Sequence, residues 1–379
     1  MKARLASLLL SCLLAGLSGV AAAEAAPAEP ALPPVADGGT WDAGHVQGIA
    51  VDRRHGYFYY SFTTLLAKYD FSGRLVGTLS GWSGHLGDLD FNPDDGKLYG
   101  SLEYKADDAF YIAVIDADRL DRVGLRVQDA DLMRTVYLPE VNRDFVARVP
   151  GGEHRYGCSG IDGVGFGPAF GHLDGPRYLT VAYGIYGDNA RADNDHQVLL
   201  QYDVRDWARL ARPLDEHAPH RSGPLRPQGK YFLRTGNTTY GVQTLAFDES
   251  SGLWFLGVYP GYKPAFPNYG LFAVDGRTPA RRGALIGVPG ARPGTWETGL
   301  LLSLAGLGQH DGATGLRGWH QKADVGLQPV GQGLFYLSRN AGGPGAQHAE
   351  LQLMCWTGKS DRPFVPVAET SCRHSVTRT

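Results

Sequence analysis

Two histidines occupy matching places in two copies of one short pattern. His45 opens the run His-Val-Gln-Gly-Ile-Ala-Val-Asp, which ends at Asp52, and His85 opens His-Leu-Gly-Asp-Leu-Asp-Phe-Asn, ending at Asn92, 40 residues on. Asp88 lies inside the second copy, and Asp162 inside a looser copy that begins at Gly160. Two imidazoles beside two carboxylates can do acid–base chemistry as His45, His85, Asp88 and Asp162. The subset His45, His85 and Asp88 has the donor types for a transition metal. Gln47, Gln243 and Asp324 fall at neighbouring places in their own copies, as does Ser159, and are candidate ligand contacts. The same positions can instead satisfy backbone groups, and matched histidines also follow from duplication alone. Both readings stand at this point.

Other groups are more scattered. Tyr104, Tyr259, Tyr262 and Phe266, with Lys105, Lys263 and Arg339, have the types for an aromatic and cationic wall that stacks sugars or clamps anions. Asp188 to Asp195 clusters hard oxygen donors like a loose calcium loop, without EF-hand spacing. Glu297, His310, Asp311 and His320 sit on the longest insertion, which is expected to act as a lid. Cys158-Ser159 is followed by no helix, so it is not a nucleophile elbow. A divalent metal, calcium or a transition metal, is the one cofactor these donors suggest.

The positioning elements come from the repeat. His45–Asp52 leads through a turn ending at Gly56 into Tyr57-Phe-Tyr-Tyr-Ser-Phe62. The second copy aligns without a gap: Gly96 with Gly56, Tyr99 with Tyr59, Ser101 with Ser61. A third runs from Gly241 to Asp248, with Gly252 and then Leu253–Val258, and looser copies begin at Gly160 and Asp324. Two strand-like runs follow each copy: 65–70 and 74–79, 110–117 and 133–138, 197–204 and 230–234, 270–274 and 284–288, 349–356 and 363–367. Four antiparallel strands repeated five times predict an all-β, five-bladed β-propeller over residues 38–379, with blades starting near 45, 85, 159, 240 and 324. Residues 38–43 are a candidate extra outer strand where the ring closes.

Loop lengths then select a face. The connections 52–56, 92–96, 248–252 and 330–333 are tight turns. The longer ones, among them 103–108, 139–156, 186–196, 259–268, 290–321 and 339–348, lie on the other face with seven of the twelve histidines. Long, varied loops around a channel mouth are where a site is expected.

In words such as "QGIAVD…GYFYYS" and "GDLDF…GKLYGSLE" the repeat resembles blades of NHL-type, SMP-30-like and phytase-like propellers. That likeness implies the fold and says little about activity. The architecture also resembles the five-bladed glycosidases, which use three carboxylates on inner strands of successive blades. This chain departs from that plan by placing His45 and Gln47 where the first carboxylate would stand, which counts against a two-carboxylate glycosidase scheme.

The N-terminus reads as an export signal. Lys2 and Arg4 precede an apolar stretch to Val20, and Ala21-Ala22-Ala23 fits a cleavage site. Residues 1–23 are expected to be removed, 24–37 to form a flexible leader, and the product to be periplasmic or secreted; lipidation at Cys12 is a minor alternative. The apolar run is too short for a span, and no later segment suits one. Losing Lys2 and Arg4 moves the net charge from −3 to about −5, so no nucleic-acid or anionic-membrane partner is suggested. Glycine, 52 of 379 residues, is about twice its usual ~7% share, as many turns require. An oxidising compartment favours a Cys355–Cys372 disulfide, with Cys158 left as a buried thiol. The expected function is a hydrolase or lyase acting on a glycan or phosphoester, metal-assisted or not. The alternative is a non-catalytic monomer that binds a carbohydrate, peptide or envelope protein.

Overall fold

A computed structural model describes residues 29–128, 131–150, 152–369 and 372. Residues 1–23, expected from the sequence to be an export signal, and Cys12 among them, lie outside the described residues. Strands dominate, and they form five antiparallel blades around one axis, a five-bladed β-propeller. No helix among the described residues is long and apolar enough to cross a membrane.

The repeat word explains each blade's first hairpin. In blade 1 the inner strand Val46–Asp52 pairs with Tyr57–Phe62, and in blade 2 His85–Asn92 pairs with Lys97–Tyr104. The Gly56 amide donates to Asp52 O at 2.9 Å, and the Gly96 amide to Asn92 O at 2.9 Å. The Asp52 and Asn92 side chains accept further amides of the same turns. Gly56 and Gly96 sit at φ 73° and 69°, a region open chiefly to glycine. Both strands of each hairpin are largely buried, because neighbouring blades cover both faces.

Matched serines join the blades. Ser61 Oγ donates to Gly87 O and Ser101 Oγ to Asp162 O, both at 2.6 Å, so blade 1 holds blade 2 and blade 2 holds blade 3. Blade 4 carries Gly257 at the equivalent place. A Cβ there would lie 1.9 Å from Ala323 O, so the backbones approach directly.

Two outer strands differ from expectation. The run 284–288 was assigned to the outside of blade 4. Arg281–Pro289 instead pairs with Trp296–Leu301, which lies parallel to Gly229–Arg234 of blade 3. The reason is packing: Leu285 and Val288 enter the core cluster of blades 2 and 3. Blade 4 is left with three strands, Thr238–Asp248, Leu253–Pro260 and Leu271–Asp275. Single bridges to Leu304 and Trp319 cover its edge.

Ring closure uses the chain's other end. Val35–Trp41 pairs with Gln347–Gln352 of Ala346–Trp356 in blade 5, and Phe364–Pro366 pairs with Met354–Trp356 of the same strand. The N-terminal strand thus starts at 35, three residues before the expected domain boundary, and the end of the expected leader is fixed in place. Tyr336 OH donates to Pro33 O at 2.7 Å, and Arg53 pairs with Glu29 at 2.8 Å.

Cys355 and Cys372 form a disulfide, with Cα atoms 5.7 Å apart and a sequence separation of 17, while Cys158 is free and buried. A loop of that length is worth about 3 kcal/mol in the chain-entropy model. Alkylating the unfolded, unreduced protein should modify Cys158 and spare Cys355 and Cys372, as read by peptide mass spectrometry. Cys372→Ser should lower unfolding free energy by about that amount in a denaturant titration.

Candidate functional site

The inner strands are bulged where they reach the long-loop face. Register slips occur between Val46 and Gly48, Leu86 and Leu89, Ile161 and Val164, and Val242 and Thr244. A bulge re-aims the side chains next to it. Here the equivalent residues Gln47, Gly87, Asp162 and Gln243 turn toward the channel mouth. Gly87 matters by what it lacks, since a Cβ there would meet Ser101 Oγ at 2.4 Å and Asp162 Oδ1 at 3.1 Å.

A cavity of about 570 Å³ opens at this mouth, walled by His45, Gln47, His85, Glu103, Tyr104, Lys105, Asp162, Tyr240, Gln243 and Tyr259, among others. At its centre is His85. Its Nδ1 lies 3.7 Å from Glu103 Oε1 and 3.8 Å from Asp162 Oδ1, beyond hydrogen-bond distance, and has no partner. Burial, aided by Lys105 and His45, pulls the His85 pKa down to about 4, so the ring is neutral near pH 7.

The two carboxyl groups have different surroundings. Glu103 accepts from Lys105 Nζ at 2.9 Å and from the Ile161 amide at 3.2 Å. Burial raises its pKa, and the lysine and the amide oppose that. Asp162 receives Gln243 Nε2 at 2.9 Å, and no cation contacts it apart from a protonated His85. Burial and the neighbouring Glu103 charge raise it well above the usual carboxylate range. Glu103 thus has a lysine and a backbone amide in contact with its charge, where Asp162 has one neutral amide donor and feels Lys105 only at longer range.

His45 is held differently. Its Nδ1 lies 2.7 Å from Val46 O, which requires the hydrogen on that nitrogen, and its Nε2 faces the Gln47 amide at 3.3 Å. Gln47 is steadied by Thr63 Oγ1 at 3.2 Å. Tyr240, half-exposed on the wall, has φ 64°, a strained value for a residue with a Cβ. Its carbonyl accepts from Gln243 at 2.7 Å.

Searches with family models and against curated proteins find no match. Among solved structures the chain is similar to the β-propeller domain of Myceliophteria thermophila Cps50 (Swd1), at 10% identity over 84% of this chain and 72% of that one, with a TM-score of 0.33. It is similar to the Dos1 propeller at 12% identity, over 84% and 69% of the two chains, with a TM-score of 0.33. Kuenenia stuttgartiensis hydrazine synthase matches at 10% identity, over 84% and 64%, with a TM-score of 0.32. The site is accordingly read from its own geometry.

Of the residues expected to act together, His45, His85 and Asp162 meet on the cavity wall, with Gln47, Tyr104, Lys105, Gln243 and Tyr259. Asp88 does not join them. It lies one residue beyond Gly87 in the bulge and points across the axis, where Oδ2 accepts the Val164 amide at 3.1 Å and the Leu245 amide at 3.0 Å. That use of Asp88 separates it from His45 and His85. Among the described residues no three His, Cys, Asp or Glu side chains gather in a metal-holding group.

Asp324 is buried, close enough to His45 and Tyr259 to act on them electrostatically, with Oδ1 unpartnered. Arg339 is exposed in blade 5, and His320 is exposed against Tyr269, so neither is on the wall. Glu297 binds Arg155 and Tyr156 at blade 3, while Gln309–His310 and Arg317–Gly318 form a hairpin. None of these insertion residues lines the mouth cavity. In the acidic loop, Asp193 pairs with Arg191 and Asp195 with Lys263, while Asp188 accepts the Ala190 amide at 2.8 Å, so two of its three carboxylates already have cations.

Glu103 was missed. The repeat does carry a signal for it, because Thr63, Glu103 and Tyr259 are equivalent residues: Thr63 steadies Gln47, and the other two line the cavity.

Two predictions separate the axis from the mouth. Asp88→Ala strands two buried amides and should cost about 3 kcal/mol in chemical denaturation, whereas His85→Ala should leave stability nearly unchanged. Asp90, also on the axis, accepts the Phe166 amide at 2.7 Å, and burial lifts its pKa to about 6. Its protonated form favours folding, so that contribution is full below about pH 4 and is lost as pH rises through 6. In Asp90→Asn this part of the stability-against-pH curve should flatten.

Proposed function

We propose that the mouth cavity is an acid–base catalytic site for a neutral or amine-bearing glycan, working as a hydrolase or lyase in an exported protein. The observation that carries this reading is that Glu103 and Asp162 both approach Nδ1 of a neutral His85, with a lysine and a backbone amide against the Glu103 charge and one neutral amide donor on Asp162. Pairs of titratable groups whose environments differ in this way serve as acid and base. Asp162 holds the proton and donates it to the leaving oxygen. Glu103, kept ionised by Lys105, takes a proton from water or from the substrate carbon. His85, with its free Nδ1, orders the group between them and closes to hydrogen-bond distance once substrate fills the cavity.

The charge of the wall favours a glycan over a phosphoester. Glu103, Asp107 and Asp162 line the cavity, and Lys105 is the one lysine or arginine among its lining residues. A phosphate would meet net negative charge. Tyr104, Tyr240 and Tyr259 offer ring faces for sugars. Export is supported by the apolar N-terminus read from the sequence and by the Cys355–Cys372 disulfide.

The test is a turnover screen on neutral and amino polysaccharides alongside phosphoesters. Cleavage is expected in the glycan set alone, with Asp162→Asn and Glu103→Gln each lowering kcat by about 10²–10⁴-fold. Because Asp162 acts protonated, rate should fall as pH rises through its raised pKa, and Asp162→Asn should lose that alkaline limb. Phosphoester cleavage, or sugar binding without turnover, would overturn the assignment.

A further inference from the structure

We propose that a second cavity, on the face opposite the mouth, binds a small ligand that joins a flat apolar body to an anionic head. The cavity holds about 770 Å³ and is reached beside the Asn92–Lys97 turn, between blades 2 and 3. That size suits a drug-sized molecule.

The inner wall is aromatic and apolar. Tyr99 meets Phe166 edge-on at 4.9 Å and Trp207 at 6.4 Å, and Leu132 completes the surface. Tyr99 is fixed by its hydroxyl, which donates to Asp95 Oδ2 at 2.6 Å. These rings belong to the blade cores and are barely exposed, so they form a rigid floor, and the apolar surface open to a ligand is that of Val114, Pro176, Val204 and Ala208 around it.

The rim carries the charge, and its balance favours an anion. Three of the four lining aspartates are already engaged. Asp95 accepts the Tyr99 hydroxyl and the Lys97 amide, Asp131 pairs with Arg134 at 2.9 Å, and Asp116 accepts the Arg119 amide at 3.3 Å. Of these contacts only that from Arg134 neutralises a charge, yet the lining carries five cations, Lys97, Arg119, Arg134, Arg177 and Arg205, against the four aspartates. Two of the cations have no carboxylate partner among the described residues. Lys97 makes no side-chain contact among the described residues, and the Arg119 guanidinium binds the carbonyl of Asp131. Arg177 adds a third donor. Its Nε is buried with no partner while its far end reaches Glu249, itself largely exposed. An ion pair so open to water is worth little, and a ligand carboxylate, sulfonate or phosphate can replace it with a bidentate contact.

An anilinonaphthalene sulfonate dye has both required parts and reports binding by fluorescence. The natively folded full chain should bind it saturably at one site, with affinity weakening as salt rises. Arg119→Gln with Arg177→Gln should weaken binding at least 10-fold, and the neutral phenylnaphthylamine analogue should bind the unaltered protein at least 10-fold more weakly than the sulfonate. Ala208→Trp, which fills the opening from an exposed position on its wall, should abolish binding. His85→Ala should not change it, since that residue is on the other face. Equal affinity for the neutral analogue, unchanged binding in the arginine double variant, or no saturable binding at all would overturn the proposal. Circular dichroism of each variant confirms that the dye reads the folded protein.

Discussion

The ring depends on two carboxyl groups that cross its axis. Asp88 and Asp90 stand on the same side of the inner strand of blade 2. Asp88 accepts amides from blades 3 and 4, and Asp90 accepts one from blade 3 and the Gln328 side chain of blade 5. Inner strands of different blades cannot form a ladder with one another, so their inward amides would be buried and unpaired without these acceptors. A buried amide left without a partner costs about 1–3 kcal/mol. The two acids therefore answer a need that the fold itself creates, at the expense of desolvation that raises both their pKa values.

The mouth inherits its shape from that arrangement. With the axis occupied by Asp88 and Asp90, ligand space begins above them, where the bulges turn Gln47, Asp162 and Gln243 upward. The same bulge leaves Gly87 in the place of a side chain, which makes room for Ser101 Oγ and Asp162 Oδ1. Gly160 works similarly in blade 3. A Cβ there would come within 2.0 Å of Glu103 Oε2, so the carboxylate can approach the Ile161 amide only because Gly160 has no side chain.

The blades are unequal, and this shapes the outer surface. Blade 3 extends to six strands by taking the pair 281–289 and 296–301, whereas blade 4 keeps three. Ring closure is shared in blade 5, where strand 346–356 receives both an N-terminal and a C-terminal partner. The disulfide from Cys355 then ties the end of the chain to that strand. Closure thus joins segments far apart in sequence through main-chain pairing, a hydroxyl bond from Tyr336 and one covalent link.

Much of this was legible in the sequence. Blade number, inner strands and the loop-rich face follow from the gap-free repeat with its Asp/Asn…Gly turns, because tight turns and short strand-forming runs are local properties. The repeat also matched His45 with His85 and pointed to Asp162. Three features needed the tertiary structure. Asp88 and Asp162 look interchangeable in the alignment, yet one residue of offset at a bulge sends one to the axis and the other to the cavity. Arg281–Pro289 has the pattern of an outer strand for either of two blades, and only the burial of Leu285 and Val288 against blade 3 chooses. Glu103 reads as the end of a second strand, and its role appears when the next blade brings Ile161 and Asp162 beside it. Sequence determines what is set by neighbours along the chain; contacts between blades decide which carboxylate is spent on amides at the axis and which lines the cavity.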